Sequence, residues 1–299
     1  MRAPISVFLA LILAASVGAQ TSEALPAVVS PQWLQKHQKD ADLVVLHVAF
    51  SRRDYTREHI PGARFIWFSW LSPSTPDGST EMASIPEAVQ VLEEIGISRE
   101  SRLVVYFTGN NVSTTTRTIF SLLYFGFEGR VALLDGGLDG WKRTGGSVTK
   151  DVPSVNRTSL QLELRADLLA DAEYVRKHLD DASVSIVDAR SKNFYDGSGS
   201  GTRPGHIKGA VSMPFSTIVD SLNQFKSRDE LEKIFREAGV KKGTTVVAYC
   251  HVGQQATIVL QAARLLGYQM KLYDGSYEEW PSLDEARYPV EQTPVSDKP

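Results

Sequence analysis

The chain predicts an α/β protein of two tandem domains, each built on a mostly parallel central sheet flanked by helices. Three observations carry that reading. First, 299 residues exceed the ~100–200 of an ordinary single domain. Second, His59-Ile60-Pro61-Gly62-Ala63 returns as His206-Ile207-Lys208-Gly209-Ala210, about half the chain later. A repeat that long marks a duplicated domain, whereas a solenoid or propeller repeats at a far shorter period. Third, short β-branched runs alternate with stretches of helical spacing around both copies, the signature of a parallel sheet with crossover helices.

In chain order, residues 1–20 read as a signal peptide. Arg2 is the positive start, Ile5 to Val17 the short apolar run, and Val17-Gly18-Ala19 the small residues at the cut. The protein is therefore expected to be exported, periplasmic or secreted. After cleavage no run approaches the ~18 apolar residues of a membrane span. The N-terminal domain is assigned to residues 25–146. It holds strands at Leu43–Leu46 and Leu103–Tyr106 and a helix from Pro86 to Gly96, with Val89, Leu92 and Ile95 on one face. A strand from Ala132 and a glycine turn then lead to Trp141. Residues 147–166 lack apolar periodicity and read as a linker. The C-terminal domain, 167–292, repeats the order: Val184–Val187, the second His-Ile pattern, then a helix opened by the Ser227/Glu230 capping box and stopped at Gly239. Thr245–Tyr249, a helix from Ala256 to Leu266, Met270–Gly275 and Trp280 complete it. Both tryptophans read as core anchors; Trp67 and Trp70 are candidates to line the cleft between domains.

Composition narrows the function. Apolar residues at 42% and charged residues at 22% exclude disorder and fibrous repeats. A net charge of −3 offers no general attraction to nucleic acid. A single cysteine excludes an internal disulfide and a multi-cysteine zinc site. No GxGxxG, P-loop or metal-spaced His/Asp set occurs, so neither cofactor nor metal is expected. Cys250 directly follows the Thr245–Tyr249 strand. His251, Val252, Gly253, Gln254 and Gln255 then lead onto a helix, whose N-terminal N–H groups and dipole would lower a thiol pKa. A lone cysteine beside a β-branched run also fits a small core hydrophobe. Residue chemistry leaves both readings open.

The doubled His-Ile-x-Gly-Ala pattern, Val187-Asp188-Ala189-Arg190, Arg203-Pro204-Gly205 and the single cysteine loop resemble the two-domain rhodanese family, the thiosulfate and 3-mercaptopyruvate sulfurtransferases. The resemblance spans residues ~25–290 and implies two rhodanese-like domains. It also implies a persulfide on Cys250, cradled by the 251–255 loop, that moves sulfane sulfur from thiosulfate or a related donor to cyanide or a thiol. A protein thiol is a further acceptor, and a monomer is expected. Alternatives are mercaptopyruvate as donor, or a carrier that does not turn over alone. Aligning Phe107 on Tyr249 sets Thr108 opposite Cys250, which makes the N-terminal domain inactive. Related cysteine phosphatases use Cys-x5-Arg, but the sixth residue after Cys250 is Ala256.

The positions that select the donor depart from the family pattern. His251-Val252-Gly253 matches neither the two cations typical of thiosulfate enzymes nor the Gly-Ser-Gly of mercaptopyruvate enzymes. The family's substrate arginine, six residues after the Asp of Asp-x-Arg, is Phe194 in this chain. His251, if protonated, would supply positive charge. Arg190 reads as partly structural, paired with Asp188. Arg203, in a Gly/Ser-rich loop, is the candidate replacement anion anchor. His59 and His206, symmetric in both copies, read as loop-fixing residues.

Overall fold

The computed structural model describes residues 24–76, 80–199 and 201–293. The leader predicted for residues 1–20 lies outside them. In the first half, strands β1 (Val28–Val29), β2 (Leu43–Ala49), β3 (Arg64–Trp67), β4 (Arg102–Tyr106) and β5 (Val131–Leu134) run in the order β1-β5-β4-β2-β3. Its helices are α1 (Pro31–His37), α2 (Arg52–Arg57), α3 (Phe68–Leu71), α4 (Ile85–Glu94), α5 (Val112–Tyr124) and α6 (Gly137–Arg143). The second half has β6 (Leu169–Ala170), β7 (Val184–Asp188), β8 (His206–Ile207), β9 (Val211–Ser212), β10 (Thr245–Tyr249), β11 (Met270–Tyr273) and β12 (Val290–Glu291). Its main sheet runs β6-β11-β10-β7-β9, and β8 pairs antiparallel with β12 apart from it. The helices are α7 (Ala172–Lys177), α8 (Lys192–Asp196), α9 (Arg228–Glu237), α10 (Ala256–Leu266) and α11 (Ser276–Glu279). Every neighbour pair in the two large sheets is parallel, and the second repeats the strand order of the first.

Parallel strands covered on both faces need continuous apolar runs. Leu43 to Leu46 and Thr245 to Tyr249 supply them, and four of the five residues of β10 are buried. The capping box at Ser227 is present, with Ser227 N–H donating to Glu230 at 3.0 Å, and Leu231 and Phe235 face the core. A second box, Ser84 with Glu87, opens α4. Its buried face is Ala88 and Leu92, with Val91 and Ile95 against it; Val89 is turned off that face.

One apolar cluster runs through both halves. Helices α5 and α10 meet between the sheets and join Ile119 and Phe120 to Ile258 and Val259. At the crossing the hydroxyls of Thr116 and Thr257 are 2.8 Å apart, and Arg264 donates to the carbonyl of Val131 at 2.8 Å. Trp141 and Trp280 are buried core anchors, as expected. Trp67 and Trp70 meet each other and Phe65 edge-on in the first half, and Trp70 packs against the apolar cluster shared by both halves.

The duplication extends to hydrogen bonds. Tyr106 and Tyr249, each the last residue of its strand, accept the N–H of Ile60 and Ile207 on their hydroxyls, both at 3.1 Å. His59 stacks on Tyr55 and hydrogen-bonds its carbonyl at 2.7 Å; His206 does the same with Tyr195 at 2.8 Å. Both histidines therefore fix loops. Because Tyr106 matches Tyr249, the residue opposite Cys250 is Phe107, and the assignment of Thr108 to that place is one residue late. The carbonyl of Phe107 accepts from Leu138 N–H as that of Cys250 accepts from Tyr277 N–H, at 2.9 and 3.0 Å. Phenylalanine has no nucleophile either.

Between the halves, residues 150–165 form neither helix nor strand. They lie along the first domain: Glu93 accepts from Leu160 N–H at 2.9 Å and pairs with Arg157.

Candidate active site

Cys250 sits just past β10, at the carboxyl end of a parallel sheet, where α/β proteins place their ligands. The residue is only 1% exposed and belongs to the apolar cluster between α10 and the sheet. The backbone N–H groups of Val252, Gly253, Gln255 and Ala256 nevertheless turn onto its sulfur. These two influences oppose each other. Four donors favour the thiolate, while burial favours the neutral thiol. Burial outweighs them, and the thiol is pushed above its ordinary value. The expected amide cradle is present; the expected fall in pKa is not, because loss of water around the sulfur costs more than the amides return.

The first domain holds the loop in shape. Thr80 donates its hydroxyl to the carbonyl of Val252 at 2.7 Å, and Arg117 donates to that of Gly253 at 3.2 Å. Gln254 reaches Ser113 at 3.0 Å. Arg117 is fully buried on α5, forms an ion pair with Asp274 (Nη2 to Oδ2 3.0 Å), and also donates to the carbonyl of Thr80. Gly253 has φ +77°, and a Cβ there would stand 2.5 Å from Asp274 Oδ1, so the position admits glycine alone. On the other side Ser276 accepts from Cys250 N–H at 3.3 Å, and Glu278 N–H donates to the carbonyl of His251 at 3.0 Å. Sequence reasoning missed Arg117, Thr80, Ser113, Asp274, Tyr277 and Glu278. The first four act across long chain separations that no local pattern reports. The last two sit on the four-residue helix α11, just after the glycine turn that follows β11 and too short to show a period.

Beside the loop lies a cavity of about 170 Å³, walled by Arg190, Phe194, Thr202, His251, Tyr277 and Glu278 among others. Cys250 adjoins it through His251 and does not line it. Val252, Gly253, Gln254 and Gln255 are likewise off this wall and serve as cradle and interdomain contacts. Arg190 is buried and structural. Its Nε and Nη2 grip Asp188 at 3.0 and 2.6 Å, Nη2 also donates to the carbonyl of Gly205, and the guanidinium lies 3.7 Å from the Tyr277 ring centre. Asp188 in turn accepts the Tyr249 hydroxyl at 2.8 Å.

Two expectations are corrected. Arg203 does not reach the cavity: its guanidinium donates to the carbonyls of Leu283 and Tyr288, at 3.3 and 2.7 Å, because the C-terminal segment wraps that side of the loop. His251 supplies no charge near neutrality, since burial and the nearby Arg190 lower its pKa. Its ring stands edge-on to Phe194, centroids 4.5 Å apart. Among the described residues no group of three His, Cys, Asp or Glu could hold a metal ion, and no helix is long and apolar enough to cross a membrane.

Two duplicated α/β domains, with one thiol under an amide cradle at the strand ends of the second, define a cysteine-loop protein of the group-transfer type. The chain belongs to the rhodanese family: the model for the Rhodanese-like domain matches residues 30–144 and again 171–283. It is 30% identical to the sulfur carrier protein TtuD of Thermus thermophilus, covering 86% of this chain and 94% of that one. It is 29% identical to the 3-mercaptopyruvate sulfurtransferase of Escherichia coli (88% and 97% covered) and 28% identical to the thiosulfate sulfurtransferase of Gallus gallus (85% and 93%). The crystal structure of SseA from Escherichia coli, described as a 3-mercaptopyruvate sulfotransferase with the rhodanese fold, superposes with a TM-score of 0.74 at 26% identity, covering 85% of this chain and all of that one.

Proposed function

We propose that the protein is a sulfurtransferase that moves sulfane sulfur from thiosulfate or a related donor to a thiophilic acceptor, such as cyanide or a thiol, through a persulfide on Cys250. The observation that carries this reading is the convergence of four backbone N–H groups on the chain's single cysteine sulfur. Such a cradle stabilises negative charge as it develops on sulfur during transfer, without a side-chain base. Burial pushes the thiol above its ordinary value, so the cradle's part is to favour loss of its proton when a donor is attacked. Replacing Cys250 with Ser should abolish turnover of every sulfur donor and shift folding stability by no more than about 1 kcal/mol. Steady-state rates and a denaturant melt check this; residual turnover in the serine variant would refute it.

A second reading, a sulfur carrier loaded and unloaded by protein partners, draws support from the burial of Cys250 and from the TtuD relative. Mercaptopyruvate remains the alternative small donor, on the Escherichia coli relative. The leader read at residues 1–20 supports export. A monomeric state belongs to the same proposal and rests on the family resemblance alone.

A further inference from the structure

Among the described residues the wall of the cavity beside Cys250 holds one cation, Arg190, whose charge is already paired. Arg190 is neutralised by Asp188 and engaged with Gly205 and the Tyr277 ring. Arg203 faces carbonyls elsewhere. Phe194 fills the place of an anion-binding arginine, and the glycine-rich loop closes on it so tightly that a Cβ on Gly199 would come within 2.3 Å of its ring. Glu278 adds an exposed carboxylate to the wall. The same residue borders a larger cavity of about 820 Å³, where Glu81, Asp171 and Glu279 also stand. A small dianion entering here would give up water and meet aromatic residues, the Glu278 carboxylate and an arginine already paired with Asp188, which is unfavourable without a free cationic partner. A positively charged group would meet the exposed Glu278 carboxylate, which is favourable.

We propose that this cavity is the donor site for an organic persulfide whose carbon portion carries no negative charge, and best a positive one, in preference to thiosulfate, with Phe194 and Glu278 setting the preference. This rests on the Cys250 persulfide reading. The step balances without an outside oxidant: Cys250–SH + R–S–SH gives Cys250–S–SH + R–SH. The Cys250 sulfur attacks the terminal sulfur of the donor, the donor S–S bond breaks, and its electron pair leaves on R–S, which takes the proton Cys250 gives up. Thiosulfate would instead release doubly charged sulfite into the same cavity.

The test loads the full chain with the persulfides of cysteamine (ammonium) and 3-mercaptopropionate (carboxylate), which match in length, and with thiosulfate. Second-order loading of Cys250 is followed by intact mass and normalised to each donor's rate with a free thiol. Cysteamine persulfide should load about tenfold faster than the carboxylate donor, as expected for reversing a charge near a carboxylate at a protein surface, and thiosulfate should be slowest. Glu278→Gln should shrink the ammonium-to-carboxylate ratio several-fold, and Phe194→Arg should raise thiosulfate loading. Thiosulfate loading as fast as cysteamine persulfide in the unaltered protein, or a ratio indifferent to Glu278→Gln, would overturn the donor assignment while Cys250 still took up sulfur. Failure of every donor to load Cys250 would overturn the persulfide reading and this one with it.

Discussion

His47 and Asp188 occupy one place in the two sheets, opposite the tyrosine that ends each central strand. Asp188 accepts that tyrosine's hydroxyl and holds Arg190; His47 pairs through Nδ1 with Tyr106 at 2.9 Å, and its Nε2 is buried with no partner. A charged imidazole cannot be accommodated there, and burial, with His59 nearby, lowers the His47 pKa to about 3. The unfolded chain takes up that proton near pH 6.5 and the folded one only near 3, so the contribution is complete above pH 6.5 and is lost as pH falls toward 3. Between pH 7 and pH 4 the protein should lose about 3 kcal/mol more stability than a His47→Phe variant. Denaturant melts at the two pH values measure the difference; equal losses would show that His47 does not govern it. At this scale the sequence disclosed Cys250, whose neighbours announce a loop, and the two loop-fixing histidines, because they occur twice. It did not disclose where Arg203 turns, since a glycine-rich loop leaves that to the segment packed on it, Leu283 to Tyr288.

The central strands were legible because burial on both faces demands the apolar runs that they show. The edge strands β1, β6 and β12 were not, being two residues each and too short for any period. Aligning the two copies on hydrophobic runs slipped by one residue and set Thr108 where Phe107 belongs. The tyrosine shared by both strands was the better marker, since its hydroxyl has a fixed partner in the His-Ile turn. Helix α5 carries the largest consequence that a single copy cannot reveal: Arg117 links Asp274 to the carbonyl of Gly253 and so ties the cysteine loop to the first domain. Arg117→Met should cost about 3–5 kcal/mol, as breaking a buried pair does. It should also lower kcat more than it raises KM, with Arg117→Lys recovering part of kcat. If the folded Met variant kept full kcat, the cysteine loop would hold its shape without the arginine.

Taken as a whole, the molecule divides its labour. The second domain carries the thiol, and the first, with phenylalanine in the matching place, supplies Thr80, Ser113 and Arg117 to the outside of the cysteine loop. One apolar cluster joins the two, so loop shape and domain docking are a single property of the fold. All of this serves one buried sulfur whose pKa is pushed up by burial yet which is surrounded by amide donors. The most direct measurement treats the full chain with a sulfane donor, removes the excess, and records intact mass and the peptide containing Cys250 before and after cyanide. A gain of one sulfur atom on Cys250, erased by cyanide and absent from Cys250→Ser, is the expected result. An unchanged mass, with a thiol that takes sulfur from no donor while the protein stays folded, would contradict the account.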